Sequence, residues 1–202
     1  MTSMSSIPTH FGLHLPRWSL QWLARQPATF ANAETRMRVA IALARENVNQ
    51  GTGGPFGAAV FDAQTGRLIA AGVNLVVSHQ SAVLHAEVVA IALAGQALGT
   101  HDLAALGQYE LYASTEPCVM CLGATLWSGV RALYCGARDE DARAIGFDEG
   151  PKPTDWPGEL ERRGVTVVRD VLRDEAAAVL QAYATGGGRI YNGRAGDASQ
   201  AS

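Results

Sequence analysis

The sequence predicts an α/β protein, a three-layer α/β/α sandwich built around a five-stranded mixed sheet. The chain has 202 residues, of which 48% are hydrophobic, and this is enough to bury a sizeable core in one domain. Segments with helical periodicity alternate with short strand-like runs. About 26 residues separate the last two of these runs, which favours a crossover between parallel strands over a hairpin.

The chain begins with residues 1–31, in which apolar side chains stand among prolines, and we expect an arm packed on the domain. Residues 33–49 place apolar and charged side chains at near-helical spacing and predict the first amphipathic helix. Three arginines of this helix are expected on its exposed face: Arg36, Arg38 and Arg45.

The middle of the chain predicts a hairpin, a helix and a strand. Residues 57–74 form two β-prone runs joined by a short turn at Gly66, as in a hairpin. Residues 85–98 are apolar almost all round, which is typical of a helix covered on more than one side. The run 110–114 then predicts a strand.

The remaining elements follow Pro117, which we expect at the first position of a helix ending near Ser128. The later runs predict strands at 131–137 and 164–170, a surface loop at 150–158 and a closing helix at 174–185. We therefore expect three parts: an arm (1–31), a domain (32–185) and a C-terminal tail (186–202).

Charge and hydropathy disfavour two classes of partner. The formal net charge is −3 and Lys152 is the only lysine, so the chain lacks a basic stripe for a polynucleotide. The N-terminus does not have the pattern of a signal peptide, and we find no stretch approaching the roughly 20 apolar residues of a membrane span. We expect a cytoplasmic protein that binds neither nucleic acid nor membrane.

Two of the three cysteines, Cys118 and Cys121, stand in the motif P-C-x-x-C. Three readings are open: inert core residues, half of a structural zinc site, or part of a working metal site. The third cysteine, Cys135, lies in a predicted strand and is expected in the core, so a four-cysteine site is not available. At the start of a helix, both thiols would meet free backbone N–H groups that favour thiolates, the form that binds metal.

A catalytic zinc site takes three protein ligands and keeps one position open. Only His85, among five histidines, stands at the start of another strongly apolar helix, so we expect it to be the third ligand. Zinc can lower the pKa of a bound water from about 15.7 toward 7. Glu87, two positions further on, is expected to reach that water and move its proton.

The pattern H-x-E followed by P-C-x-x-C is the general signature of zinc deaminases. With this composition, about 0.25 H-x-E triplets but only about 0.002 P-C-x-x-C motifs are expected by chance. The second motif therefore carries most of the weight.

These motifs make the chain similar to the cytidine deaminase superfamily, and more closely to bacterial guanine deaminases. The similarity runs from about Gly54 to Glu149 and continues more weakly to Tyr191. It is carried by GPFGAAV (54–60), GVN (72–74), HAEV (85–88), STEPCVMCLGA (114–124), Trp127 and AIGFDEG (144–150). The resemblance implies a cytidine deaminase-like fold whose last strands are parallel.

The resemblance also implies a set of roles. Zn²⁺ would be held by His85, Cys118 and Cys121, with Glu87 as the proton shuttle. The residues implied to meet the substrate are Asn74 through a hydrogen bond, Ala86 through its amide, and Phe56 and Trp127 as apolar walls. By themselves, the aromatic residues would read as ordinary core and the asparagine as a turn residue.

In guanine deaminases the segment matching GFDEG supplies a second acidic residue, which is Glu149 here. Guanine offers N1–H and its C2 amino group as donors, and a buried carboxylate can accept from both or relay a proton to ammonia. Cytosine offers an acceptor instead, so Glu149 favours guanine. The relatives are dimers, some with an exchanged C-terminal segment, and we expect a homodimer in which Tyr191 can cover a site.

The predicted function is thus zinc-dependent deamination of a small nucleobase, guanine, to xanthine and ammonia. Three alternatives stay open. The first is another amino-substituted heterocycle, such as the triazine ammeline, cytosine or a nucleoside. The second, tRNA adenosine deamination, needs basic surface that the composition does not supply. The third is a zinc-stabilised binding module without turnover.

Overall fold

The computed structural model describes residues 8–193 of the chain. The described helices are α1 (Arg17–Leu23), α2 (Ala33–Asn49), α3 (Ala86–Leu98), α4 (Val119–Ser128), α5 (Asp139–Ala144), α6 (Trp156–Glu161) and α7 (Arg173–Thr185). The strands are β1 (Gly57–Asp62), β2 (Leu68–Val73), β3 (Tyr109–Thr115), β4 (Ala132–Ala137) and β5 (Thr166–Val168). A short 3-10 helix, Leu103–Ala105, precedes β3.

The five strands form one mixed sheet in the order β2-β1-β3-β4-β5. Strand β1 pairs antiparallel with both β2 and β3, as a hairpin and its neighbour. Strands β3, β4 and β5 are parallel to one another, with helices in the crossovers between them. The predicted sheet, hairpin and parallel final pair are confirmed.

Helices cover both faces of the sheet, which confirms the three layers. Helices α2 and α7 pack on one face, while α3 and α4 pack on the other. Side chains of β1 alternate accordingly: Phe61 joins the core under α2 and Val60 joins the core under α3. Gly72 lets α3 approach closely, because a Cβ there would lie 2.6 Å from the backbone nitrogen of Ala90.

One arginine of α2 is not where the sequence placed it. Arg36 is buried, and its Nη1 lies 2.6 Å from Glu110 Oε2 on β3, while its Nε donates to the carbonyl of Phe30 at 3.1 Å. The expectation of an exposed side chain is wrong for Arg36, because this turn of α2 faces the sheet and a buried carboxylate neutralises the charge. Arg38 and Arg45 are exposed as expected.

Several short elements also differ from the expectation. Helices α5 and α6 were not predicted, and α6 begins inside the loop expected at 150–158. Strand β5 has only three residues. Pro117 is not the first helical residue of α4, because Cys118 is the N-cap and the helix begins at Val119. Helices of six residues are too short for hydrophobic periodicity to reveal.

Contrary to the expectation, one segment, Ala86–Ala105, is by length and composition apolar enough to cross a membrane. The regular helix within it ends at Leu98, because Gly99 takes a left-handed conformation with φ of 68°. Helix α3 packs against β1 and β2 and contains the buried carboxyl of Glu87. These contacts hold one side of α3 against the sheet, while only 22% of the apolar window is buried.

Candidate active site

Chain segments from four strands meet at one end of the sheet. Residue Phe56 precedes β1 and Asn74 follows β2, and both lie beside the carboxyl end of β3 because β1 runs antiparallel to its two neighbours. Glu116 follows β3, and the segment after β4 and α5 brings Glu149 to the same place. Together they line a small cavity of about 90 Å³.

The three predicted metal ligands meet in this region. His85 is the N-cap of α3 and Cys118 is the N-cap of α4, with Cys121 in the first turn of α4. Their ligand atoms all lie within 4.8 Å of one another, and Cys118 Sγ is 3.4 Å from His85 Nδ1. Tetrahedral ligands at zinc distances lie roughly 3.6 Å apart. The donor set and its spacing therefore fit Zn²⁺.

The electrostatics of the cysteine pair favour a thiolate. Hydrogen bonding from Cys121, and next from His85, lowers the pKa of the Cys118 thiol to about 4 despite its burial. The same hydrogen bond to Cys118, together with burial, raises the pKa of Cys121. Free N–H groups at the start of α4 add positive potential. A divalent cation is the partner that this arrangement suits.

Two carboxyl groups share the cavity with the ligands. Glu87 is 8% exposed, and burial followed by the negative charge of Cys118 raises its pKa. Glu149 is 6% exposed, and burial, again followed by Cys118, raises its pKa to about 8. Both groups can exchange a proton more readily near neutral pH than an exposed glutamate can.

Asn74 is almost fully buried and lines the cavity. Its Oδ1 accepts from the Val76 amide at 3.2 Å. The NH₂ group of the same side chain is therefore the part that can donate to a ligand. Behind it, the buried Asn47 donates through Nδ2 to the carbonyls of Asn74 and Gly54, each at 2.9 Å. Asn47 thus ties the last turn of α2 to two segments that lead into the site.

Aromatic side chains close the cavity. Phe56 lines it as predicted and meets Phe147 edge to face, with ring centroids 4.9 Å apart. Phe147 in turn meets Tyr191 at 5.2 Å, so the C-terminal segment of the same chain lies over the cavity. Phe147 was not predicted as a wall, although the quoted segment AIGFDEG contains it. Glu116 and Asn192 also line the cavity without having been predicted.

The side chains of two residues that the sequence placed beside the substrate lie outside the cavity lining. Trp127 does not line this cavity and is 87% exposed on α4. Six residues separate it from Cys121, so at about 100° per residue its side chain points away from the ligand face of the helix. The side chain of Ala86 packs in the core, and only its amide, in the first turn of α3, stands beside His85.

Comparison with known protein families agrees with this geometry. The family model described as the cytidine and deoxycytidylate deaminase zinc-binding region matches residues 31–137, more than half of the chain. The chain belongs to this deaminase family. Zinc is the cofactor of the family's site, and the residue types and spacing of the three ligands agree with it.

Individual deaminases of known function or structure resemble the chain over most of its length. Guanine deaminase from Bacillus subtilis (strain 168) is 42% identical over 130 residues, which are 63% of this chain and 80% of that protein. A solved guanine deaminase from Nitrosomonas europaea is 47% identical with a TM-score of 0.84, covering 89% of this chain and 98% of its own. A solved complex of a mutant protein with 8-azaguanine is 47% identical with a TM-score of 0.83, covering 88% and 98%.

Proposed function

We propose that this protein is a zinc-dependent hydrolase that converts guanine and water to xanthine and ammonia. The observation that carries the proposal is a second buried carboxyl group, Glu149, on the same cavity as Glu87 and the metal ligands. The similarity to two guanine deaminases and to a protein that binds 8-azaguanine supports the same substrate.

In this proposal His85, Cys118 and Cys121 hold the zinc ion. Zinc, when bound, supplies a water whose pKa is lowered toward about 7. The two helix N-termini that carry the ligands add free N–H groups to the site, and the amide of Ala86 is one of them. Such groups stabilise negative charge that develops on an oxygen at the reacting carbon.

Glu87 moves the protons. As water adds to C2 of guanine, the carboxylate takes a proton from the water and gives it to ring nitrogen N3. After this addition C2 carries a hydroxyl and the amino group. The hydroxyl proton, which is the second proton of the water, is then transferred to the amino group, the C2–N bond breaks and NH₃ departs. The C2 oxygen becomes the carbonyl of xanthine, which keeps the new proton on N3. The raised pKa of Glu87 suits a group that must both accept and donate.

Glu149 selects the substrate. When ionised it accepts from N1–H and from the C2 amino group, and with a pKa of about 8 it can pass a proton to the departing amine near neutral pH. Asn74 donates its NH₂ group to an acceptor of the base, and Phe56 with Phe147 forms the apolar walls of the cavity. An acceptor at N3 of cytosine would face ionised Glu149 without a hydrogen bond.

The substrate is tested by steady-state rates with guanine, ammeline, cytosine, adenine, cytidine and guanosine on one zinc-loaded preparation. We expect the highest kcat/KM with guanine, because its N1–H and C2 amino group can both donate to Glu149, whereas cytosine, adenine and cytidine lack this pair of donors. Guanosine has both donors and tests whether a ribose is accepted. Ammeline, with a similar edge, is the expected second substrate. A higher kcat/KM with cytidine than with guanine would overturn the proposal.

Glu149→Gln tests the residue to which we assign the preference for guanine. Glutamine keeps the size but presents an amide, so we expect guanine kcat/KM to fall by about 10²-fold or more with zinc content unchanged. The matched control is Glu140→Gln, which changes an exposed carboxyl on α5 and should leave the rate unaltered. Unchanged turnover in Glu149→Gln would remove the reason for preferring guanine.

We also propose that the enzyme is a cytoplasmic homodimer that binds no nucleic acid. The dimer is supported by an apolar surface on α4, where Trp127 is 87% and Val119 40% exposed and a second copy would cover both. The expectation of no nucleic acid rests on the net charge of −3 and the single lysine. In this proposal residues 32–185 form the catalytic domain, 1–31 an arm and 186–202 a tail. The described part of the tail covers the cavity of its own chain, and residues 194–202 lie outside the described part.

A further inference from the structure

The only lysine of the chain, Lys152, lies in the segment that follows Glu149, and its side chain is covered by other residues. Its side chain is 6% exposed. Nζ donates to the Pro117 carbonyl at 3.1 Å, lies 3.1 Å from Asp139 Oδ1 and stands 5.7 Å from the centre of the Trp156 ring. Burying an ammonium group costs several kcal/mol unless it is paired. These three partners explain how a charge is tolerated here.

The partners of this segment lie on both sides of a metal ligand. Lys152 binds the carbonyl of Pro117, immediately before Cys118, and the Glu149 carbonyl accepts from the Val119 amide, immediately after it, at 3.0 Å. The segment is therefore attached to the start of α4 at two points, three residues apart in its own sequence. Between them lies Gly150, whose carbonyl accepts from Arg143 at 3.0 Å.

Prolines on both sides of Lys152, Pro151 and Pro153, restrict the backbone, so a fixed Nζ limits where the preceding residues can lie. We propose that Lys152 is a positioning residue: it holds the Glu149 segment against the start of α4, so that the Glu149 carboxyl stays at a set distance from Cys118. The effect on turnover rests on the proposed function, whereas the positioning itself does not.

Lys152→Met removes the ammonium group and keeps a side chain of similar length. The first measurement is hydrogen exchange of the Val119 amide, which reports whether Glu149 stays attached to α4. We expect this amide to exchange at least about tenfold faster in Lys152→Met, because one of two attachments is gone. The control Arg162→Met removes an exposed cation at the C-cap of α6 that pairs only with Asp155 and Glu159 among the described residues, and it should leave the exchange rate of the Val119 amide unchanged.

The second measurement is a double-mutant cycle between Lys152→Met and Glu149→Gln. With zinc content equal to wild type, Lys152→Met should lower guanine kcat/KM at least about tenfold. In the Glu149→Gln background the same change should cost less than about twofold, because the carboxyl that Lys152 positions is already absent. The cycle is repeated with the dissociation constant of hypoxanthine, which keeps N1–H but has no amino group to lose. Binding of this ligand can be measured even for a variant whose turnover is too slow to measure.

Equal losses in both backgrounds, or a loss of zinc that matches the loss of activity, would overturn the proposal. So would unchanged exchange of the Val119 amide. If Lys152→Met does not fold, Lys152→Leu, which has neither the charge nor a donor for the Pro117 carbonyl, takes its place with the same expectations. If Lys152→Met speeds the exchange of the Val119 amide as expected, but the wild-type protein turns over cytidine and not guanine, the proposed substrate is refuted and the positioning role remains.

Discussion

Glu87 combines burial with a position at the second residue of α3. Its neighbours include Cys118, Cys121 and Glu149, which are acidic groups as well, so negative charges would lie close together in this cavity. Burial is the larger cause of its raised pKa, and the charge of Cys118 adds to it. A carboxyl in these surroundings is suited to hold a proton briefly and release it.

Glu87→Gln should therefore separate metal binding from turnover. Glutamine has the same size but cannot take a proton, so we expect kcat for guanine to fall by about 10²- to 10⁴-fold while zinc remains bound. Elemental analysis and steady-state rates are measured on the same sample, with Glu161→Gln, which changes an exposed carboxyl at the end of α6, as the control. Retained turnover would show that another group moves the proton, and lost zinc would make Glu87 a ligand.

At the scale of elements, the site depends on two helices that each begin at a metal ligand. His85 and Cys118 are both N-caps with extended backbone conformations. Each of these two ligands therefore stands just before the first turn of its helix. The close packing of α3 on β2 at Gly72 and of α4 beside α3 brings these two turns together. The sheet end supplies the remaining side chains.

A buried ion pair joins α2 to the sheet that carries the site. Arg36→Met leaves Glu110 buried without its cation, and we expect the free energy of unfolding to fall by about 3–5 kcal/mol. Urea unfolding at pH 7 measures this. Arg38→Met is the matched control, because Arg38 is half exposed and its ion pairs should contribute less than about 1 kcal/mol. Similar losses for both variants would contradict a special role for the buried pair.

At the scale of the whole molecule, zinc should contribute to stability as well as to chemistry. A ligand that binds only the folded state stabilises it by about 2.7 kcal/mol at a free concentration one hundred times its dissociation constant. We expect chelation to lower the Tm and abolish turnover, and added Zn²⁺ to restore both, whereas Mg²⁺ should restore neither. A Tm that is independent of measured metal content would argue against a zinc site at His85, Cys118 and Cys121.

The exposed face of α4 should hold two copies together. Trp127→Asp places a charge where an aromatic side chain is expected at the centre of the dimer contact, and we expect the dimer dissociation constant to rise at least about thirtyfold. Sedimentation equilibrium measures it, with Leu20→Asp, 66% exposed on α1, as the control. A dimer that is unaffected by Trp127→Asp would place the interface elsewhere.

The sequence predicted the metal ligands better than it predicted the residues around them. The spacing of P-C-x-x-C and the apolar run after His85 predicted three side chains that do converge, because the start of α3 fixes His85 and the start of α4 fixes both cysteines. Phe147 and the burial of Lys152 could not be predicted from spacing. They depend on where the long segment after β4 crosses the end of the sheet.

The amino-acid sequence by itself determined the layered α/β fold, the antiparallel hairpin, the parallel last strands and the ligand set, since periodicity and short motifs act between near neighbours in the chain. Only the tertiary structure decided that Arg36 is buried against Glu110, that Trp127 faces away from the cavity and that Lys152 reaches the turn before Cys118. The physical reason is the same in each case: a charged or aromatic side chain takes its environment from distant segments, and these meet only when the whole sheet and its helices are packed.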